Sequence, residues 1–282
     1  MAQILKGTPV AAAITEELRR RADALKEKNI YPALAILRVG ENESDIAYER
    51  GALKRCEKVG ITAVQTHLPA TCTQEELMRE IDKINSDESI HGCIMFRPLP
   101  KHLDEQMACD ALKPSKDVDS MTAQSLITVF TGRGDGFAPC TAQSVIEMLD
   151  YYGYDPKGKN IVVIGRSLVI GKPVSMLLQK RNATVTMCHT KTHDMPAVCR
   201  GADILIAAAG KMRMISEEYT NPAQVVIDVG VNPAPDGGIC GDVDFDSVSS
   251  KVSAISPVPS GVGSVTTAVL CKHVIEAAER MI

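Results

Sequence analysis

Residues 160–189 read NIVVIGRSLVIGKPVSMLLQKRNATVTMCH, and the fold class is decided there. Ile161–Ile164 is a short apolar, β-branched run, the mark of a buried strand. It runs into Gly165. Gly171 then precedes a helical stretch with Pro173 near its first turn, where a missing N–H costs nothing. Thr184–Cys188 has the composition of a second strand. The unit is β-turn-α-β with glycines flanking the turn. Such a turn lets backbone N–H groups and a helix N-terminus face a pyrophosphate. The usual G-x-G-x-x-G spacing is absent, because Arg166 and Ser167 occupy the middle of the turn. On the glycines alone two readings stand, a dinucleotide site or an ordinary αβ layer with a tight turn.

The residues after the second strand add a preference. A site selective for NAD places an Asp or Glu there to hold the ribose 2′-hydroxyl. Here Cys188, His189, Thr190 and Lys191 follow, with no carboxylate. An acid would repel a 2′-phosphate, whereas Arg166, Thr190 and Lys191 can bind one. NADP is therefore expected over NAD. His189 is assigned no chemical role, since a strand-end histidine is more often structural.

Outward from this unit, short apolar runs alternate with helical stretches, as α/β architecture requires. Upstream, a helix is expected near Ala11–Lys28, a buried strand at Pro32–Val39, and a helix over Ala47–Val59 stopped by Gly60. Thr73 is the expected N-cap of a helix running to about Asn85, with Glu75 and Glu76 in its first turn. A strand at His91–Phe96 ends at Pro98-Leu99-Pro100, which suits only extended or turn backbone. The Gly-rich stretch Thr131–Cys140 is the expected crossing between domains. A helix over Thr141–Tyr151 opens the second α/β series, whose later strands are Ile204–Ala208, Val225–Val229 and roughly Val252–Ile255. The final stretch Thr266–Met281 is helical and is expected to fold back on the first domain.

The chain has 282 residues, enough for two modest domains. With 45% hydrophobic and 23% charged residues it has the composition of a soluble globular protein. A net charge of −4 and the absence of Trp give no basis for nucleic-acid or membrane binding. The N-terminus lacks the pattern of a secretory signal, and no apolar run is long enough to span a bilayer. Nine Cys are scattered without CxxC pairs. Reduced thiols in a cytoplasmic protein are the expectation, and no residue is assigned to a metal.

Four further segments surround the turn in order: PSKDVDSMTAQS (114–125), FAPCTAQS (137–144), VIDVGVN (226–232) and SPVPSGVGSVTTAVL (256–270). With VIGRSLVIGKP they resemble the methylenetetrahydrofolate dehydrogenase/cyclohydrolase family, and the resemblance runs from near Leu5 to the C-terminus. It implies a two-domain α/β subunit, usually a homodimer, with a folate cleft between a catalytic domain and a Rossmann-type dinucleotide-binding domain. The domains would be 1–139, joined by the C-terminal helix 266–282, and 140–265. The implied activity is oxidation of 5,10-methylene- to 5,10-methenyltetrahydrofolate. Many members then hydrolyse that product to 10-formyltetrahydrofolate.

Carried over by position, the resemblance makes Tyr48 the ring that packs on folate and Asp119 the acid that hydrogen-bonds the pterin, the two residues expected to be catalytic. Pro98 and Leu99, and Pro257, Gly261 and Gly263 in a closing loop, complete the implied folate contacts. Gly165, Arg166, Ser167, Thr190, Gly210 and Val231 match dinucleotide contacts. Taken alone each has a duller reading: Tyr48 as an amphipathic helix residue, Asp119 as a turn or capping residue.

The chain also departs from the family. Ala52 stands four residues after Tyr48, where bifunctional members carry the lysine of the cyclohydrolase step. Phe96 replaces the glutamine that supports it. Ser120, Ser260 and Ser264 stand where Gly, Gly and Pro are usual. Hydride transfer needs mainly alignment, whereas hydrolysis needs proton handling. The expectation is an active dehydrogenase with weak or lost cyclohydrolase. The alternatives are a bifunctional enzyme in which Lys54 or Arg50 substitutes, and an idle folate- or dinucleotide-binding paralogue.

Overall fold

The computed structural model describes residues 2–235 and 237–281. The chain begins with β1 (Gln3–Ile4), α1 (Gly7–Lys26), β2 (Ala33–Val39), α2 (Glu43–Val59) and β3 (Thr62–Leu68). It continues through α3 (Gln74–Ser86), β4 (Gly92–Met95), α4 (Glu105–Ala111), α5 (Ala123–Thr131) and α6 (Cys140–Tyr151). A second series holds β5 (Asn160–Ile164), α7 (Gly171–Lys180), β6 (Thr184–Cys188), α8 (Met195–Arg200), β7 (Ile204–Ala207) and β8 (Val225–Asp228). The chain closes with β9 (Asn232–Pro233), β10 (Ile239–Cys240), α9 (Phe245–Ser249), β11 (Ala254–Ile255) and α10 (Thr266–Glu279). The fold is α/β, in two compact units. The first holds Ala13–Cys140 with the chain from Thr267 onward, and the second holds residues up to Ala12 with Thr141–Thr266.

In the first unit β2 is the middle of a parallel sheet ordered β3-β2-β4. All of β2 is buried, so both sheet faces are covered. Ala35, Leu37 and Val39 share a core with Leu77, Ile81 and Ile84 of α3. The alternate residues Leu34, Ile36 and Arg38 point to the other face. There α2 lays down the stripe Glu49, Ala52, Cys56 and Val59. This helix begins four residues before the expected Ala47, because Asn42 caps it by accepting the Ser44 N–H. It ends as expected at Gly60, left-handed at φ 87°. Thr73 and Glu76 form a reciprocal capping box at α3.

The second unit carries a six-stranded sheet, β1-β11-β8-β7-β5-β6, with every pair parallel. Counted from β5, the order is 2-1-3-4-5: α7 carries the chain one way to β6, and the next connection returns past β5 to β7. A doubly wound sheet binds ligands at the C-terminal ends of its strands, where the winding reverses. The ends of β5 and β7 occupy that position.

One boundary differs from the sequence expectation, which put residues 1–139 in the first domain. Residues up to Ala12 belong to the second unit instead. The cause is β1, which adds to the sheet edge with Gln3 beside Ala254 and Ile4 beside Ile255. Among the described residues no helix is long and apolar enough to cross a membrane. All nine cysteines are buried free thiols.

Candidate active site

In the second unit the site is built from backbone. Gly165 leaves β5 at φ 127°, and a Cβ there would collide with the carbonyl oxygen of Ala208, just past β7. A Cβ on Gly171 would collide with the carbonyl of Gly165. Both glycines are therefore required by close backbone approach at the reversal of the sheet. Ser167 closes the turn: its Oγ accepts the Ile170 N–H at 3.1 Å and its carbonyl accepts the Lys172 N–H at 3.0 Å. Arg166, Ser167 and Thr190 are exposed around it. Beyond β6, the His189 N–H donates to Thr192 Oγ1, and its Nδ1 accepts the Lys191 N–H. His189 is thus a turn-forming residue.

Gly210 is left-handed at φ 64°, with open space where a Cβ would sit. Its loop hangs on Asp242, which is fully buried. Asp242 Oδ2 accepts the N–H groups of Ala209 at 2.6 Å and Gly210 at 2.9 Å. Oδ1 accepts the Lys211 N–H and Asn232 Nδ2, at 2.8 and 2.9 Å. Asp228 is its counterpart, accepting the N–H groups of Gly230, Asp242 and Val243. Burial pushes the Asp228 carboxyl up to about 7 against those donors. Gly230 packs on Asp242, and Gly241 on Asp228, too closely for any Cβ. Sequence reasoning missed both acids. The available signal was Asp228-x-Gly230 and Gly241-Asp242, acids beside glycines within apolar runs.

Val231 is 62% exposed. A cavity of about 250 Å³ brings it together with Pro257, Gly261 and Gly263. The Gly7 N–H donates to the Ser260 carbonyl at 2.8 Å, and Gly7 in turn leaves no room for a Cβ against Gly261. Gly261 is crowded by the Pro257 carbonyl, whereas Gly263 has open space and no backbone need for glycine. Ser260 adopts φ 78°, a conformation that favours the glycine usual in the family.

In the first unit the site is built from side chains. Tyr48 is half-buried on α2, edge-on to Phe96 with ring centroids 5.8 Å apart at 76°. Ala52 is fully buried, and Arg50 and Lys54 are exposed. Pro98 is exposed, while Leu99 is buried and donates its N–H to Glu105 Oε2 at 2.8 Å. A parallel bridge between Cys93 and Asp117 brings the Asp117–Asp119 run beside β4. Asp117 is fully buried and accepts the N–H groups of Met121 and Thr122. Asp119 is partly exposed and accepts the Cys140 N–H at 2.8 Å. Burial pushes its carboxyl up, against that donor. Ser120, at φ 55°, keeps a buried hydroxyl with no partner among the described residues.

Cys140 Sγ lies 3.7 Å from His273 Nδ1, which invites a thiolate–imidazole reading. Burial argues against it, holding the thiol well above its usual range and pushing the imidazole down to about 4. Both groups stay neutral at physiological pH, so the pair is not an activated nucleophile.

Comparison with known proteins also finds two domains, meeting near residue 139, though it leaves residues 5–12 with the first domain and 267–282 with the second. The model of the tetrahydrofolate dehydrogenase/cyclohydrolase catalytic domain matches residues 5–119, and that of the NAD(P)-binding domain matches residues 139–282. A relative from Clostridium botulinum (strain Okra / Type B1), named Bifunctional protein FolD, is 50% identical over 280 residues, covering 99% of each chain. The solved bifunctional enzyme FolD-methylenetetrahydrofolate dehydrogenase/cyclohydrolase of Campylobacter jejuni is 37% identical with TM-score 0.96, covering 100% of both chains. The Trypanosoma brucei methylenetetrahydrofolate dehydrogenase-cyclohydrolase, solved with NADP cofactor and inhibitor, is 34% identical with TM-score 0.93, covering 99% of this chain and 98% of that one. The chain belongs to the tetrahydrofolate dehydrogenase/cyclohydrolase family.

Proposed function

We propose that this chain oxidises 5,10-methylenetetrahydrofolate to 5,10-methenyltetrahydrofolate with NADP, and hydrolyses the product to 10-formyltetrahydrofolate. The observation that carries the proposal is the near-complete, 50% identical match to a relative named bifunctional. Ala52 and Phe96 led the sequence toward a weakened cyclohydrolase. The whole-chain relatives support the bifunctional alternative better.

The residues present fit a dinucleotide. Gly165 and Gly171 make a turn that side chains would fill, and α7 begins there with no side-chain cap on its N-terminus. Arg166 and Thr190 are exposed and suited to a 2′-phosphate, and β6 ends without the acid that would repel one. When bound, the nicotinamide supplies the hydride-accepting chemistry. The chain's own part is alignment. In this reading Tyr48 packs on the folate ring, and Asp119 accepts from adjacent pterin N–H and amino groups. Pro98 and Leu99 in the first unit are assigned to the folate, as is the Pro257–Gly263 loop in the second. The homodimer implied by the family goes with this proposal, and sedimentation at twice the 30.3 kDa chain mass would support it.

Two separate assays test the reading. One follows NADPH formed from methylenetetrahydrofolate; the other follows loss of methenyltetrahydrofolate without dinucleotide. Both should proceed, with hydrolysis roughly 100-fold or more above buffer, the scale of general acid–base help. Hydrolysis at the buffer rate beside an active dehydrogenase would remove the cyclohydrolase half and restore the expectation drawn from Ala52 and Phe96. No signal in either assay would point to the idle paralogue.

A further inference from the structure

Strand β2 reads ALAILRV, with an arginine near the end of a buried strand. Arg38 is only 9% exposed. Its register partner on β3 is His67, and the pairing of Leu37 with Met95 puts Phe96 beside Arg38 on the other side. Residues aligned across a parallel sheet point to one face, on strands about 4.8 Å apart. Phe96, Arg38 and His67 therefore form a row at the C-terminal edge of the sheet, apolar at Phe96 and polar at Arg38 and His67.

Two adjacent residues of α2 land on the two halves of this row. Tyr48 meets Phe96 edge-on. Glu49, 4% exposed, takes Arg38 Nε on Oε2 at 2.7 Å and His67 Nε2 on Oε1 at 2.6 Å. Arg38 also donates through Nη1 to the Gly40 carbonyl, in the loop that leads into α2. Burial opposes the charge of Glu49, but the hydrogen bonds from His67 and Arg38 outweigh it and hold the carboxyl below its usual range.

Stability alone does not call for ions here. Replacing a buried ion cluster by apolar residues of similar size is often neutral or stabilising, because the desolvation penalty disappears. What the cluster adds is direction. Each charge-assisted bond fixes a distance and an angle, whereas an apolar contact tolerates a rolled or shifted helix. Ala52, one turn on, lies in the same buried stripe as Glu49, so its depth is set by the same contacts.

We infer that Glu49, clamped by Arg38 and His67, is a positioning residue that sets the rotation of α2 and with it the place of the Tyr48 ring. The inference rests on the folate role proposed for Tyr48. It makes Arg38 and His67 a second support of the folate site, beside Phe96 on the sheet-facing side of the helix.

The test is a triple variant, Arg38→Met with Glu49→Leu and His67→Leu, assayed beside the parent and Glu49→Asp. The triple variant should keep its melting midpoint within a few degrees. Its KM for methylenetetrahydrofolate should rise on the order of 10–100-fold, as small misplacements do, with the KM for NADP unchanged. Glu49→Asp should recover part of the folate KM. A stable triple variant with a parent-like folate KM would overturn the inference. Should that variant fail to fold, Glu49→Gln gives the same split, and a parent-like folate KM there is equally fatal. Tyr48→Ala is read separately. An unchanged folate KM there removes the folate role itself, whereas a raised one beside parent-like Glu49 variants removes only the clamp.

Discussion

In the second unit the candidate site is made by the main chain: Gly165 and Gly171 let strand and turn close together, and Asp242 gathers three successive N–H groups under Gly210. In the first unit it is made by side chains, with Tyr48 against Phe96 and Asp119 beside Cys140. The contrast predicts where each unit tolerates change. A backbone-built site accepts varied side chains but no added Cβ at its close approaches. A side-chain-built site keeps its fold through substitution and loses its ligand.

The largest effect should come from the turn. Gly165→Ala combines φ 127° with a collision against backbone, and should cost roughly 3 kcal/mol or more. Gly210→Ala has the same kind of φ but open space, and should cost only about 1–2 kcal/mol. Urea denaturation of the two variants reads the difference. Equal costs would mean that backbone approach is not what requires Gly165.

The units should also answer pH in opposite senses. In the first, burial holds His273 neutral down to about 4. The unfolded chain takes up its proton from about 6.5 downward, so stability falls as pH drops through that window, by about 3 kcal/mol in all. In the second, burial lifts Asp228 to about 7. The unfolded chain ionises from about 3.9 upward while the folded one keeps its proton, so stability falls as pH rises toward 7. The two windows overlap and oppose, so His273→Phe should tilt the profile toward falling stability with rising pH, and Asp228→Asn should tilt it the other way. Unfolding midpoints across pH 4–8 check both, and two variants that change the slope in the same direction would break the comparison.

The same contrast explains what the sequence could disclose. Strands β5 and β6 were legible to within one residue, because each is a compact β-rich run between clear breaks. Strand β3 was not: TAVQTHL lies at a sheet edge, half exposed, without an apolar run. Strand β1, two residues long, has no period to detect. The tight turn from Gly165 to Gly171 was legible because close backbone approach writes glycine into the sequence. Tyr48 and Asp119 carried no signal of their own, and only the family resemblance singled them out. Asp242 and Glu49 stayed hidden because their partners are distant in sequence, 32 residues away for Gly210 and 18 for His67.

A crossed kinetic comparison of Tyr48→Ala and Arg166→Ala puts the division of labour to the sharpest trial. The quantity is KM for methylenetetrahydrofolate and for NADP, measured with both variants and repeated with NAD in place of NADP. Tyr48→Ala should raise the folate KM and leave the dinucleotide KM nearly as it was. Arg166→Ala should do the reverse, weakening NADP by roughly 1.5–3 kcal/mol as loss of a charge-assisted contact does, and NAD far less. Variants that raise both KM values together, or an Arg166→Ala that weakens NADP and NAD equally, would contradict the account.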